Sequence, residues 1–570
     1  MRYLKKKNIA YAVASVMLIS GIQFSVAASS SAEKKQPNIV WISVEDISPH
    51  IGAYGDKIAR TPHIDKLATQ GVRYANAFTT AGVCAPSRSA IITGMYQTSL
   101  GTMHMRTSHK GDDLPTPYSA VPPAYVKTFT EYLRAAGYYT TNNVKTDYQF
   151  APIKEKRQPL TAWDACSKTA HWRNRPDKSQ PFFSVFNFAT THESRNWATS
   201  KAKRVTDPAK VSVPPYYPDT PAVRAELARL YDNIANVDIK VGEILQQLQE
   251  DGLAEETIVF FWSDHGDGLP RAKRWLYDSG IHVPLIIRWP GQVEPGSVDD
   301  QLISFIDLAP TVLSMAGVQI PRHIQGQAFL GPQAQQPRTF IYAARDRIDG
   351  AYDMVRAVRD GRFKYIRNFY PHLPYVSWVP YRNRSETMKE LLRLNAADKL
   401  EGPQKLWFKK QRFPEELYDL KNDPHEINNL ANDPKYTNVL KTMRHEMDDW
   451  RIRTRDLGDL TESEMVARMW PGGVQPVTAV PVFIPNTKDN IAAEPVPMGG
   501  TFTGATMLKI YCATQGASIA YTTETGEKPY WKLYTGPIRL PVGTTNIRAR
   551  SIRYGYAESE EKSARFIVEQ

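Results

Sequence analysis

Cys84-Ala85-Pro86-Ser87-Arg88-Ser89-Ala90-Ile91-Ile92-Thr93-Gly94 is the stretch on which the reading of this chain turns. Pro86 suits the first turn of a helix, where a missing N–H costs nothing, and Gly94 suits its stop. Position 84 then sits at a helix N-terminus, where free N–H groups and the helix dipole favour an anion. Arg88, one turn on, offers planar donors to an oxyanion or to the residue at 84. A buried structural cysteine beside an ordinary helix is the competing reading, because free cysteine packs as a small hydrophobe.

Working outward from that helix, roughly the first 320 residues alternate strand and helix signals, which predicts a largely parallel sheet covered on both faces. Asn38–Val44, Pro181–Phe188, Thr257–Ser263 and Val283–Trp289 read as core strands, and Tyr138–Val144 as another. Pro62–Gln70, Thr128–Ala136 and Pro221–Asp251 read as helices, each stopped by a glycine at 71, 137 or 252. In doubly wound sheets ligands collect beyond the C-terminal ends of strands, and the polar residues singled out below mostly follow such strands. From about residue 339 the pattern changes. Asp353–Asn368 reads as a hairpin turning at Asp360-Gly361, and a helix is expected near 436–454. Residues 471–500, rich in Pro, Gly and Thr, read as a linker or extended wrap. Residues 501–570 read as short strands with turns at Thr525-Gly526, Thr535-Gly536 and Val542-Gly543, a small β-sandwich.

Residues 1–27 have the form of a secretory signal: Arg2, Lys5, Lys6 and Lys7, an apolar stretch from Ile9 to Phe24, then Ser25-Val26-Ala27. The apolar part is short and holds Ser15, Ser20 and Gly21, so no stable membrane anchor is expected. These features place the mature chain in a bacterial periplasm or outside the cell. Of the three cysteines, Cys166 and Cys512 are expected as free thiols. The leader's four basic residues reduce the formal charge from +12 to about +8. A basic surface concentrates polyanions. Export and the lack of any nucleic-acid motif exclude nucleic acid as the partner and favour an acidic polysaccharide.

The spacing C-x-P-S-R-x-x-x-x-T-G, carried by Cys84 to Gly94, is the maturation signature of the type I sulfatases, and residues 36–470 resemble that family of the alkaline phosphatase superfamily. The resemblance implies an α/β fold, with an alkaline-phosphatase-like mixed sheet sandwiched by helices over 36–338. A smaller C-terminal antiparallel sheet with a packed helix follows over 339–470, led into by Glu416-Leu417-Tyr418-Asp419-Leu420 and Asp423-Pro424. Residues 501–570 resemble the C-terminal domain of chitobiases and β-hexosaminidases, through Ile519-Ala520-Tyr521-Thr522 and Tyr530-Trp531, as a structural cap or a glycan-binding module. Sulfatase membership further implies that a formylglycine-generating maturation enzyme oxidises Cys84. The hydrated aldehyde attacks the sulfur of a sulfate ester, and the remaining geminal hydroxyl then collapses to expel sulfate.

Four ligands from two strand ends suit one divalent cation: Glu45 and Asp46 after the first strand, Asp264 and His265 in Ser-Asp-His-Gly. The resemblance implies calcium there. The family's first pair is usually Asp-Asp, so Glu45 is a departure, and the imidazole of His265 favours softer ions such as manganese or zinc. Lys145 matches a family lysine that contacts sulfate. Two residues on, the family usually places a histidine, where this chain has Asp147. Either Asp147 serves as base or another histidine such as His104 takes that place. His192, in Thr-Thr-His-Glu, matches the histidine that protonates the leaving alcohol. Lys273 matches a lysine that neutralises sulfate charge, with Arg274 the substitute if the register slips by one. Solvated loop carboxylates and exposed lysines are the plain alternatives for these positions. Outside the core motif, His104, Asp147, Arg345, Arg347 and His372 are candidates for the substrate pocket, arginine being suited to carboxylates and further sulfates.

The function these residues imply is removal of O-sulfate from a sulfated glycan such as ulvan, carrageenan or a glycosaminoglycan, with ulvan or another marine algal glycan first. The alternatives are an N-sulfoglucosamine sulfamidase, a phosphonate or phosphodiester hydrolase of the same superfamily, and a glycan-binding protein with an inactive catalytic domain.

Overall fold

The computed structural model describes residues 36–111, 114–151, 159–200, 204–487 and 494–570; the leader expected at 1–27 lies outside them. The N-terminal half runs β1 (Asn38–Val44), α1 (Pro62–Thr69), β2 (Val72–Phe78), α2 (Cys84–Thr93), the single turn α3 (Gln97–Leu100), α4 (Phe129–Ala135), β3 (Tyr139–Asn143), the short β4 (Ala165–Cys166) and β5 (Phe182–Phe188). It continues through α5 (Pro221–Glu250), β6 (Thr257–Ser263), the single turn α6 (Asp278–Ile281), β7 (Leu285–Arg288), β8 (Ser297–Ser304) and α7 (Leu308–Met315).

These strands form one eight-stranded sheet in the order β4-β3-β5-β1-β6-β7-β2-β8. β1 is central and pairs in parallel with β5 and β6, so that Ile42 lies opposite Phe186 and Phe261. β7 pairs antiparallel to both β6 and β2, which makes the sheet mixed. Side chains alternate across the pleat. Val40, Ile42 and Val44 pack with Leu67 of α1 and Val237 of α5, while Ile39 and Trp41 pack with Phe129 of α4 and Val312 of α7. Central strands buried on both faces read as unbroken apolar runs, which is why the parallel core was visible in the sequence.

The second sheet is antiparallel, β12-β11-β10-β9, built from β9 (Ile341–Arg345), β10 (Val355–Arg359), β11 (Phe363–Asn368) and, after α8 (Glu386–Ala396), β12 (Glu415–Asp419). α9 (Thr437–Thr454) covers it with Met443, Met447 and Trp450, and α10 (Glu462–Met469) follows. The expected hairpin is present. The Asp360 carboxylate accepts from the amides of Arg362 and Phe363 and closes its turn.

The C-terminal part comprises β13 (Val482–Asn486), β14 (Gly499–Thr503), β15 (Met507–Tyr511), β16 (Ser518–Thr522), β17 (Lys532–Leu533), β18 (Ile538–Arg539), β19 (Gly543–Ile552) and β20 (Lys562–Glu569). Three- and five-stranded sheets enclose Phe483, Leu508, Ile547 and Phe566, a β-sandwich. β13 lies inside the stretch read as linker, where Pro485 hides the strand pattern. The sandwich is docked, not tethered. Glu131 of α4 accepts from Ser518 Oγ at 2.7 Å and the Tyr554 hydroxyl at 2.5 Å, and Lys127 Nζ donates to Gly516 O at 2.6 Å. Tyr554 stacks on Phe150 at 4.9 Å. Cys166 and Cys512 are free and half-buried. Among the described residues no helix is long and apolar enough to cross a membrane.

Candidate active site

Helix α2 is buried along its whole length and starts at Cys84, which is 3 % exposed. Gly94 ends it at φ 67°, and a side chain there would meet Ile324 Cγ2 at 2.9 Å, so both conformation and space require glycine. Ser87 Oγ donates to the Asp264 carbonyl at 2.6 Å, pinning the first turn of α2 to the loop after β6.

Glu45-Asp46 and Asp264-His265 follow adjacent parallel strands, since Val44 lies opposite Ser263, and so come together. The ligand atoms of Asp46, Cys84 and His265 lie within 4.8 Å of one another, as do those of Glu45, Cys84 and Asp264. His265 Nδ1 lies 2.9 Å from the Gly266 carbonyl, the contact that fixes a metal-binding tautomer. Its Nε2 lies 3.3 Å from Cys84 Sγ, 3.0 Å from Asp46 Oδ1 and 3.7 Å from Asp264 Oδ1. Asp46 Oδ1 is buried, with the His265 ring as its ion-pair partner. A buried carboxylate oxygen facing an imidazole and two further carboxylates is a donor set that fits a divalent cation. Without a cation these carboxylates act on the imidazole instead. Burial opposes its charge, but Asp264, Asp46 and Cys84 outweigh burial and push His265 up to about 10.

The cationic groups close round the same point. Arg88 donates Nε to Asp264 Oδ2 at 2.8 Å, Nη1 to Asn187 Oδ1 at 2.8 Å and Nη2 to Ser43 Oγ at 3.3 Å. Lys145 Nζ lies 2.8 Å from Glu45 Oε2 and 3.4 Å from Asp147 Oδ2. Burial opposes the Lys145 charge, but Cys84, Glu45 and Asp147 hold it well above the usual lysine range. Lys273 Nζ donates to Asp46 Oδ2 at 2.6 Å and lies 3.2 Å from Glu193 Oε1. Arg274 turns the other way into a two-pronged pair with Glu193, at 2.9 and 2.7 Å, so it is Lys273 that reaches the Asp46 carboxylate. His192 Nδ1 lies 2.9 Å from Ser194 Oγ, and ligand atoms of Asp46, His192 and Glu193 fall within 4.8 Å. Burial, then Lys273, lowers its pKa against Asp46, Glu45 and Glu193.

Not every expected residue joins this group. Arg347 requires correction: it is fully buried and forked onto Glu462 at 2.6 and 2.8 Å, with Nη1 on the Met105 and Asp349 carbonyls, so four of its five N–H donors are already engaged inside the fold. His104 belongs to the same buried network. Its Nδ1 accepts from the Arg347 amide at 3.3 Å, and burial lowers its pKa to about 4. It is a packed neutral histidine rather than the replacement for the missing one. Asp147 stays at Lys145 with 44 % of its side chain exposed. Arg345 is buried, ion-paired with Asp353 and stacked 4.3 Å from the Trp275 ring. His372 is exposed, with Tyr370 its ring neighbour at 6.1 Å. The sequence reading missed Ser43, Asn187 and Glu193. Asn187 also donates Nδ2 to Asn142 Oδ1 at 2.8 Å, and Asn142 donates to the Lys145 carbonyl at 3.1 Å, so a chain of amides joins Arg88 to the Lys145 loop. The positions of Ser43, Asn142 and Asn187 at the ends of β1, β3 and β5 were the available signal, while Glu193 lies in the loop beyond β5.

Comparison with known proteins agrees with this geometry. The family described as Sulfatase matches residues 37–318, that described as N-sulphoglucosamine sulphohydrolase, C-terminal, matches 270–400, and the chitobiase/beta-hexosaminidase C-terminal domain matches 497–563. The chain is 45% identical over 552 residues to an ulvan-active sulfatase of Formosa agariphila, covering 90% of this chain and 88% of that one. It is 27% identical over 464 residues to the N-sulphoglucosamine sulphohydrolase of Homo sapiens, covering 74% and 90%. The phosphonate monoester hydrolase SpPMH of Silicibacter pomeroyi superposes with TM-score 0.55 at 19% identity, over 74% of this chain and 96% of that one, a likeness of fold.

Proposed function

This chain belongs to the sulfatase family, and we propose that it removes O-sulfate from ulvan or its oligosaccharides, with residue 84 converted to formylglycine. As a sulfuric ester hydrolase acting on a sulfated polysaccharide, it needs a nucleophile, a cradle for the sulfate charge and an acid for the leaving oxygen. The observation that carries the reading is the convergence of Cys84, Arg88, Lys145 and Lys273 with four cation ligands at the ends of β1, β3 and β6. The close relative's name supports ulvan as the substrate.

Formylglycine at 84 would supply a hydrated aldehyde, two hydroxyls on one carbon. A cation held by Glu45, Asp46, Asp264 and His265 would supply Lewis-acid stabilisation of sulfate charge. Calcium is the ion the family resemblance implies, and His265 makes manganese or zinc the alternatives that elemental analysis separates. Lys145 and Lys273 neutralise the sulfate oxygens, Arg88 orients Asp264 and residue 84, and His192 holds the proton for the departing sugar oxygen. An anion bound between Lys273 and His192 offsets the lysine's effect and raises the histidine toward its acid form. The N-terminal leader pattern supports a periplasmic or secreted location, where such polysaccharides are met.

The test is sulfate release by ion chromatography from chain co-expressed with a formylglycine-generating enzyme, with Cys84→Ala as control. Ulvan, carrageenan and heparan oligosaccharides, N-sulfoglucosamine and a phosphate monoester form the panel. Release from ulvan, absent in the control, is the expected result. The match over 270–400 favours N-sulfoglucosamine as the second reading, and release from that sugar alone would establish it.

A further inference from the structure

Beside the sulfate-handling groups lies a second basic cluster that the reaction does not use. The ring of Tyr381 lies 6.3 Å from that of His192 and edge-on to Trp197 at 5.0 Å. Two guanidinium groups flank Tyr381: Arg106 at 5.1 Å and Arg384 at 5.9 Å from the ring centre. Arg106 is neutralised by Asp349 at 2.7 Å. Arg384 is exposed and lies 4.4 Å from the Trp197 ring, and among the described residues its side chain has only these ring contacts.

Arg382, next to Tyr381 in the chain, is 5 % exposed and lies 5.5 Å from the Trp407 ring. It donates to the Ser377 carbonyl at 2.6 Å and Asn383 Oδ1 at 3.1 Å, while its Nε has no partner. Among the described residues no carboxylate lies within ion-pair distance of it. A buried arginine without a counter-ion is costly to a fold, and such groups in clefts mark binding sites. Burial, then Arg274, lowers its pKa to about 9 against the opposing pull of Glu193 and Asp349.

This turn is held rigidly against the leaving-group side of the site. Ser385 caps α8, and both Ser385 Oγ and the Thr387 amide donate to Glu226 of α5, at 2.8 and 2.7 Å. Arg229 of α5 donates to Glu386 at 2.9 Å and to the Asn196 carbonyl, and Glu386 also accepts from the Ala198 amide at 2.8 Å. The loop that carries His192 and Trp197 is thereby fastened to the turn that carries Tyr381, Arg382 and Arg384.

We propose that Tyr381, Arg382 and Arg384 form a subsite for a second anionic group of the substrate, carried by the sugar that leaves with the oxygen protonated by His192. The inference rests on the reading of this site as one for sulfated glycans. Forked guanidinium donors suit a carboxylate or a second sulfate alike, and the ring of Tyr381 gives the sugar an apolar face to lie against.

Binding to the full chain carrying Cys84→Ala, measured by calorimetry, tests this without turnover. Three ulvan oligosaccharides serve as probes: one monosulfated with its uronate carboxylates intact, its carboxyl-reduced form, and a disulfated carboxyl-reduced form. A charge-assisted contact is worth about tenfold in affinity. A loss of that size on carboxyl reduction assigns the subsite to a carboxylate. Recovery in the disulfated form assigns it to a second sulfate. Arg384→Gln and Arg382→Gln, added to Cys84→Ala, should each abolish the difference with the thermal midpoint of Arg384→Gln unchanged. Equal affinity for all three probes, absence of binding, or a difference that survives both substitutions overturns the proposal. Sulfate release by the converted chain decides the function itself, so the two readings fail separately.

Discussion

Arg88 Nε and Asp264 Oδ2 are 2.8 Å apart, with 4 % and 0 % of their side chains exposed. Through this contact a helix and a strand end share one buried charge pair, and Asp264 is at once the arginine's counter-ion and a candidate cation ligand. Burial opposes the Asp264 charge, but Arg88 and His265 outweigh it and keep its pKa low.

Breaking that pair should be expensive. Arg88→Gln leaves the Asp264 carboxylate buried and unpaired, an expected loss of about 3–5 kcal/mol, together with loss of sulfate release. Denaturant midpoints measure the first effect. A midpoint equal to that of the parent would show that the charge is compensated elsewhere.

Asn187 acts through Arg88 rather than on substrate, because its amide joins Nη1 to the Asn142–Lys145 segment. Asn187→Ala should lower kcat by about tenfold to a hundredfold through misplacement of Arg88, with KM changed far less. Steady-state kinetics on the converted chain check the split. A rise in KM at constant kcat would place Asn187 in substrate binding instead.

Removing a cation should be visible as lost stability. At a hundredfold excess over Kd, a site-bound ion adds about 2.7 kcal/mol, so chelation should lower the thermal midpoint and re-addition restore it. His265→Ala should erase the response, since that side chain faces Asp46 and Cys84. Identical melts with and without chelator in the parent would refute a bound ion.

His50 sets a limit on alkaline stability. Its Nε2 lies 2.8 Å from Asp267 Oδ2 and its Nδ1 3.4 Å from Asp56 Oδ2. Burial opposes the charge, but Asp267 and then Asp56 raise the pKa from 6.5 to about 10. A raised folded value means that the stabilisation is complete below the unfolded pKa, declines above it, and is gone once pH passes about 10. Urea midpoints between pH 6 and 10.5 should therefore fall more steeply for the parent than for His50→Gln. Parallel curves would rule out this linkage.

The docked β-sandwich should not unfold alone. Glu131 is buried against Tyr554 and Ser518, so Glu131→Ala removes the charged acceptor that both hydroxyls share, at an expected cost of about 1–3 kcal/mol. Calorimetry should show one transition, shifted down as a unit. Two resolved transitions would show independent domains.

The central strands and α2 were legible because doubly buried strands are unbroken apolar runs and proline and glycine mark the helix ends. That Glu45-Asp46 and Asp264-His265 come together could be read as well, because strand ends that are neighbours in a parallel sheet bring their next residues together. Arg347 misled because its partner Glu462 is distant in the chain, and no local pattern shows that a charge is already neutralised. β13 was hidden by Pro485, and Tyr381 to Arg384 form a single turn too short to carry a periodicity. Asn187 ends a strand with a polar residue, a signal that acquires meaning only once Arg88 is seen to lean on it.

The burial of Cys84 sets an order of events. Its side chain is 3 % exposed within a helix that has no solvent face, so under the proposed conversion an enzyme that oxidises it would have to reach the chain before α2 closes. Folding and maturation would then compete in a race run once per molecule. A chain that folded first would be stable and inert, out of reach of any later supply of the maturing enzyme. The active fraction of a preparation would record the ratio of two rates during synthesis.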